Sequence, residues 1–392
     1  MLTIARSVLQ CFRTVCRRAG IRKSRRTGNQ SVTVLSTTAG YRLQIRSRDR
    51  AIEFASEDPG PETALRLPLD AFDACAGRGD ERVTFDVEAD DRVALRWLDQ
   101  GVPRCSEFSQ PPSSSETFPN PPTIFATNEA GLWRSLGDAV ECTDEQSSRY
   151  ALGCLNLCGD TGRIEATDGG QALVQTGYHF GWKENLLVPG NKLLGCADIV
   201  PGETIEIGRT EDWVALRIGK WLIQLRIQKE ARFPKIDQVV PNPEFARSRL
   251  ELSLGDARFL QTSLSRMPCD DAAHKPVTLD LNGRVLVRSR DLASACPVEV
   301  DLRSSKLEGE AIVLSSDRRY LEHALRLGFH KVHFYGPSSP ALAADERRQF
   351  LWAVLDKGSA IPRHDAAQRI DSPLAVVKFA KPRRTARGRI AA

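Results

Sequence analysis

The tetrapeptide Val-Ala-Leu-Arg occurs twice, at Val93–Arg96 and Val214–Arg217, about 120 residues apart in a chain of 392. Any tetrapeptide can recur by chance. This one matters because its surroundings recur with it. An alternating, strand-like run precedes each copy, Val83–Val87 in the first case and Thr204–Ile207 in the second. Phe-Pro follows each copy about 20 residues later, at Phe118-Pro119 and Phe233-Pro234. A short proline-bearing apolar segment, predicted to be helical, stands before each strand pair: Leu67–Phe72 and Leu187–Leu194. A repeat of this period means that one supersecondary unit is built more than once, which constrains the fold more than any local motif does.

Three such units fill the chain. With 41% hydrophobic and 27% charged residues the composition is that of an ordinary globular protein. A net charge of +5 permits an anionic partner without requiring one. Ten cysteines include no Cys-x-x-Cys, and the nearest pairs, Cys11/Cys16 and Cys154/Cys158, have no histidine cluster beside them. No metal or other cofactor is therefore expected, and the thiols are expected to be reduced in a cytoplasmic protein. The N-terminus is arginine-rich and free of acid, superficially like an organellar transit peptide; a folded amphipathic helix explains it equally well, and the repeat favours the helix. No stretch has the apolar length to span a membrane.

In the first third, Val8, Leu9, Phe12, Val15 and Cys16 make one helical stripe, with Arg6, Arg13 and Arg17 expected away from it. A basic loop and three period-two strands follow, at Ser31–Leu35, Tyr41–Ile45 and Ala51–Phe54. Next come a helix over Leu69–Ala76 and two closing strands, and Ser109–Pro122 makes a serine- and proline-rich linker. The second third repeats the order: a helix over Glu129–Glu141, strands at Cys154–Leu157, Gly162–Thr167 and Ala172–Val174, a helix over Asn191–Ile199, and strands at Thr204–Ile207, Trp213–Ile218 and Trp221–Ile227. The last third has helices over Leu254–Met267 and Asp317–Leu327, with strands at Val277–Leu281, Val285–Arg288, Lys331–Tyr335 and Gln349–Leu355. The expected domains are 1–117, 118–243 and 244–357, followed by a basic, disordered tail over 358–392 carrying Lys378, Lys381, Arg383, Arg384, Arg387 and Arg389.

Three anchors in the middle third carry a family resemblance. Arg149-Tyr150-Ala151-Leu152-Gly153 resembles Arg-Tyr-Tyr-Leu-Asn-Gly, and Ala166-Thr167-Asp168-Gly169-Gly170 resembles Ala-Thr-Asp-Gly-His. Arg232-Phe233-Pro234 through Val239-Val240-Pro241 resembles Arg-Phe-Pro-x-Tyr-x-x-Val-x-Pro. All three patterns are those of the bacterial sliding clamp, the beta subunit of DNA polymerase III, and they occur in its order and spacing. The resemblance runs from residue 1 to about 357. It implies an α+β fold of three repeated clamp domains, each with two helices packed on antiparallel sheets. Two chains would join head to tail in a homodimeric ring that encircles duplex DNA without reading bases.

The resemblance also implies the working residues. Duplex DNA would meet Arg6, Arg13, Arg17, Arg22, Lys23, Arg25, Arg26, Gln146, Arg149 and Tyr150, whose long cationic or polar arms suit phosphate contact. Peptides of DNA polymerase and the clamp loader would enter an apolar cleft matched by Leu152, Thr167, Gly169, Gly170, Gln171, Ala172, Pro234, Gln238, Val239, Leu351, Ala353, Val354 and Leu355. Gly170-Gln171-Ala172 stands where the family has His-Arg-Leu, which makes that cleft wider and less basic, and the chain continues past the family's usual end. The dimer interface falls near Cys105, Glu107, Leu264 and Arg266. There a Glu107–Arg266 pair in place of apolar burial predicts a salt-sensitive dimer or a monomer.

Catalytic alternatives find no constellation. Asp168-Gly169-Gly170 is a turn signal, His330 and His333 fall on opposite faces of a strand, and no glycine-rich phosphate loop occurs. The expected function is a non-enzymatic processivity factor for DNA polymerase. The competing reading is a peptide-binding adaptor that keeps the clamp fold but no longer closes a ring on DNA.

Overall fold

The computed structural model describes the chain apart from residues 22–29, 89–90, 113–116, 148–150, 270–272, 292, 294–295 and 374–392. It divides into two compact units, Met1–Val240 with Glu346–Phe350, and Pro241–Asp345 with the residues from Leu351 onward. The fold is α+β, with short helices and extensive antiparallel sheet.

The first unit holds helices α1 (Arg6–Arg18), α2 (Leu69–Cys75) and α3 (Gly131–Val140). A four-stranded antiparallel sheet runs Leu2–Ala5, Arg82–Val87, Arg92–Asp99, Val102–Ser109. An eight-stranded sheet runs Thr63–Pro68, Ser31–Thr37, Gly40–Arg46, Arg50–Ser56, Trp221–Arg226, Trp213–Ile218, Thr204–Arg209, Phe125–Glu129. At its centre Ile52 pairs with Ile223, joining the first third of the chain to the second in one body. A further antiparallel set runs Asn185–Pro189, Cys154–Cys158, Arg163–Thr167, Gln171–Gln175, and Thr176 N–H donates to Arg347 O at 2.9 Å.

Both Val-Ala-Leu-Arg copies are strands with one burial pattern. Val93, Ala94 and Leu95 are buried, as are Val214, Ala215 and Leu216, while Arg96 and Arg217 are exposed. Each arginine pairs with acid on the preceding antiparallel strand or its end, Arg96 with Asp86 and Glu88, Arg217 with Glu206 at 2.6 Å. The repeated arginine is a cross-strand partner.

The first core centres on Phe12. Its ring lies 5.8 Å from Phe72 of α2 and stacks 6.1 Å from Trp221, which meets Phe54 edge-on at 5.0 Å. Full burial of such a ring contributes about 1.5–3 kcal/mol. Leu9, Val15 and Cys16 complete the buried stripe of α1.

The expected helix over Asn191–Ile199 is absent. Successive turns take its place, closed by Leu194 N to Asn191 O, Cys196 N to Leu193 O and Ile199 N to Cys196 O. The cause is a close approach to α3. Gly195 has φ +73°, and a Cβ built on it would lie 2.5 Å from Gly137 Cα. Trp133 Nε1 donates to Cys196 O at 3.0 Å, fixing the turn against the helix. Among the described residues the middle third thus has one α-helix where the first has two.

The second unit pairs α4 (Leu254–Ser263) with α5 (Arg318–Arg326). Ser253 caps α4 by accepting from Asp256 N, and Asp317 caps α5 by accepting from Arg319 N. A six-stranded sheet runs Val354–Leu355, Ile312–Asp317, Pro276–Leu281, Val285–Ser289, Val298–Asp301, Gln368–Asp371. A second set pairs Ser248–Glu251 with Lys306–Gly309 and Lys331–Phe334, and the last of these with Ala341–Ala344.

The residues after 357 were expected to form a disordered tail. Those up to 373 are instead built into this unit. Gln368–Asp371 is a strand, and Ser372 is buried with its hydroxyl donating to Asp256 at 2.6 Å. Their basic side chains find buried acids: Arg363 donates to Asp280 and Arg369 to Glu299, each at 2.7 Å. Lys378, Lys381, Arg383, Arg384, Arg387 and Arg389 lie outside the described residues.

Gly195→Ala is expected to destabilise the chain by about 1–3 kcal/mol, because it adds left-handed strain to a backbone clash. Chemical denaturation followed by circular dichroism reads this, and an unchanged midpoint would contradict the close-approach account.

Candidate nucleic-acid and peptide-binding surfaces

The expected DNA-facing arginines separate on inspection. Arg6, the first residue of α1, is turned inward. It donates to Cys75 O at 3.1 Å and Ala76 O at 3.4 Å, at the C-terminus of α2, and to Leu98 O and Asp99 Oδ1 at 3.1 Å. Arg13 is 7% exposed and grips Asp73 with two hydrogen bonds of 2.6 and 2.8 Å. Helical spacing set both away from the apolar stripe, and the resemblance assigned them to DNA. Both instead serve the α1–α2 seam, because α2 presents helix-end carbonyls and a carboxylate to that face of α1.

Arg17 remains at the surface, sharing Asp73 at 2.9 Å, and Arg18 lies 3.5 Å from Asp198. Burial alone would raise the Asp73 carboxyl, but the two guanidinium groups of Arg13 and Arg17 outweigh it and hold the pKa below the usual range. Asp73 is the counter-ion of α1. Gln146 is exposed, in a turn where its N–H donates to Asp144 Oδ1 at 2.9 Å. Arg22, Lys23, Arg25, Arg26, Arg149 and Tyr150 lie outside the described residues.

Of the expected peptide cleft, the first unit carries nine residues. Asp168 organises the turn between two strands: its Oδ1 accepts from Gly170 N at 2.8 Å and Gln171 N at 2.9 Å, and its Oδ2 from Gln171 Nε2 at 2.9 Å. Thr167 Oγ1 donates to Gln171 O at 2.6 Å and accepts from Gly169 N. The carboxylate is thus consumed by the turn. Gly169, at φ +92°, leaves room that Leu152 approaches, with Leu152 Cδ1 3.8 Å from where a Cβ would stand. Thr167, Gln171 and Ala172 are buried, Leu152, Gly170 and Pro234 half-buried, and Gly169 and Gln238 exposed; Val239 is an apolar side chain left 58% exposed. In the second unit Leu351 is buried, Ala353 exposed, and Val354 and Leu355 half-buried where they pair with Ser316 and Ser315.

Pro234 and Gln238 also line a cavity of about 480 Å³ in the first unit, whose floor is polar. Arg163 makes two 3.0 Å hydrogen bonds to Asp237 and lies 2.7 Å from Glu165, while Asn156 donates to Glu165 at 2.8 Å. The hydrogen bonds from Arg163 lower the pKa of Asp237, and burial followed by the Glu165 charge pushes the Cys158 thiol up to about 12. Asn156, Arg163, Glu165 and Asp237 were not singled out from sequence, although Arg163 and Glu165 alternate along one polar strand face.

At the expected dimer interface, Cys105 and Glu107 lie on the outer strand Val102–Ser109 and are exposed, Glu107 standing 3.6 Å from Arg92. Arg266 is exposed, but Leu264 is fully buried and its carbonyl accepts from Arg318 at 3.0 Å. Leu264 is therefore a core residue of the α4–α5 pair and offers its side chain to no partner chain. Among the described residues no group of three His, Cys, Asp or Glu is placed to hold a metal, and no helix is long and apolar enough to cross a membrane.

No family sequence model and no curated protein sequence matches the chain. Solved structures do. The architecture falls in the class of repeated α+β clamps. It is similar to the DNA polymerase III subunit beta of Pseudomonas aeruginosa at 17% identity and TM-score 0.72, over 90% of this chain and 99% of that one. The Thermotoga maritima beta subunit gives 15% and 0.74, and the C. crescentus beta sliding clamp 15% and 0.75, each over 91% of this chain and 99% of the other.

Arg13→Ala is expected to cost about 1–3 kcal/mol, since it removes two charge-assisted hydrogen bonds at a half-buried seam. Arg17→Ala is expected to stay within about 0.5 kcal/mol. Urea unfolding distinguishes them, and equal effects would contradict the division of roles.

Proposed function

We propose that this chain is a sliding clamp of the DNA polymerase III beta type, a non-catalytic processivity factor. The observation that carries this reading is whole-length likeness of fold: essentially the entire length of three beta subunits finds its counterpart here, with no domain left over on their side. Domains over 1–117, 118–243 and 244–357 would be the three clamp repeats, and two chains would close a homodimeric ring around duplex DNA. A ring holds DNA by topology and needs only diffuse attraction. That agrees with a chain of net charge +5 that commits Arg6 and Arg13 to its own interior.

Peptides of polymerase and loader would dock where Leu152, Gly169 and exposed Val239 present small and apolar groups around a fixed turn. Tight Asp168 hydrogen bonding pre-organises that turn, which limits the entropy lost on capture. The protein would work in the cytoplasm.

Loading onto a nicked circular duplex with a clamp loader, followed by gel filtration, tests the reading. The chain is expected to co-elute with the circle and to be lost on linearisation. Retention on linear DNA, or association without a loader, would favour the adaptor.

A further inference from the structure

The six-stranded sheet of the second unit would end on Val298–Asp301, yet that edge is occupied. Gln368–Asp371 lies along it in parallel, whereas every other pairing in the sheet is antiparallel. Gln368 N–H donates to Pro297 O and Ser372 N–H to Asp301 O, both at 2.9 Å. Ionic ties reinforce the ladder: Arg363 to Asp280, Arg369 to Glu299, and Arg303 to Asp371 at 3.2 Å. All four residues of the added strand are nevertheless exposed, Ile370 at 49%. It buries little apolar surface, so hydrogen bonds and partly solvated ion pairs hold it where a core strand would be held by packing.

The edge beneath it is acidic. Glu299 and Asp301 are each 2% exposed, and Asp280 lies buried two strands away. Within the sheet Arg284 pairs with Asp301 and Arg288 with Asp280, and the covering segment adds Arg369 on Glu299 and Arg363 on Asp280. The first unit carries a sheet edge of its own. Val102–Ser109 is the outermost strand of its sheet, eight residues long, with Arg104 exposed on it and Glu107, also exposed, standing 3.6 Å from Arg92 of the neighbouring strand. A long open edge is a template for strand addition.

We infer that Gln368–Asp371 is a resident stand-in for strand Val102–Ser109 of a second copy of this chain, so that two copies join only after the C-terminal segment lifts from Val298–Asp301. The inference rests on the ring reading above and adds its regulation. One strand leaves as another enters, and backbone hydrogen bonds are exchanged rather than lost. Concentration and salt then set the balance between the self-capped chain and the joined pair. Because Ser372 is bonded to Asp256, lift-off also releases a tether on α4.

Sedimentation velocity of the full chain, with hydrogen exchange over 368–371, tests this. Ile370 shares the parity of Gln368 and Ser372, so Ile370→Pro removes a donor from the ladder and leaves the buried carboxylates their arginines. The wild-type chain is expected to sediment as a monomer with 368–371 protected. Ile370→Pro is expected to self-associate at a concentration at least about tenfold lower, and Arg104→Glu added to it to reverse most of that gain. Should Ile370→Pro fail to fold, Arg369→Gln replaces it with the same expectation. Release of 368–371 without any change in self-association overturns the cap. If both chains are then dimers the ring reading survives, and if both are monomers it falls too.

Discussion

Two buried arginines, each opening a helix, hold the paired helices of this chain together. Arg6 starts α1 and satisfies carbonyls at the end of α2; Arg318 starts α5 and satisfies Leu264 O and Pro268 O beyond the end of α4, each at 3.0 Å. A helix C-terminus leaves carbonyls without partners, and a guanidinium, with five donors in a planar fork, can meet several at once. The device lets short helices, of seven to thirteen residues, pack closely with their ends out of water. Around the first pair, Phe12, Phe72, Trp221 and Phe54 then make a continuous aromatic core that ties the first third of the chain to the second.

That arrangement shapes what the surface can do. Cations invested in helix ends and in Asp73 are withdrawn from any phosphate, and Arg363 and Arg369 are likewise drawn to buried acids. Adhesive DNA binding depends on neutralising many phosphates at once, and these cations are committed to internal partners. Topological retention makes no such demand. The same economy of charge governs the sheet edge at Val298–Asp301, where Arg284 pairs with Asp301 and Arg369 of the covering segment with Glu299.

Much of this was legible in the sequence wherever one face of an element is buried. Ser31–Thr37 and Gly40–Arg46 alternate because their sheet has one packed face, and α1 shows its stripe because Leu9, Phe12, Val15 and Cys16 all meet the core. Val102–Ser109 gave no such signal, since almost all its side chains are exposed. The inward turn of Arg6 and Arg13 depends on partners 69 and 60 positions away, and helical spacing alone cannot distinguish an arginine facing carbonyls from one facing water. Order after residue 357 was hidden for the same reason: its anchors Asp256 and Asp280 lie 116 and 83 positions back from Ser372 and Arg363. At the candidate cleft, the Asp168 turn was legible from its residues, while the polar cavity built on Arg163 and Asp237, 74 positions apart, was not.

The proposed clamp would hold DNA by enclosure. The most direct test of this is the salt dependence of residence time on closed circular duplex after loading. An adhesive protein making 6–10 phosphate contacts loses about 10³–10⁵ in affinity between 50 and 200 mM salt. Enclosure predicts a residence time that changes by less than about tenfold over that range, because dissociation then requires opening the ring. A loss approaching the adhesive value would contradict the account.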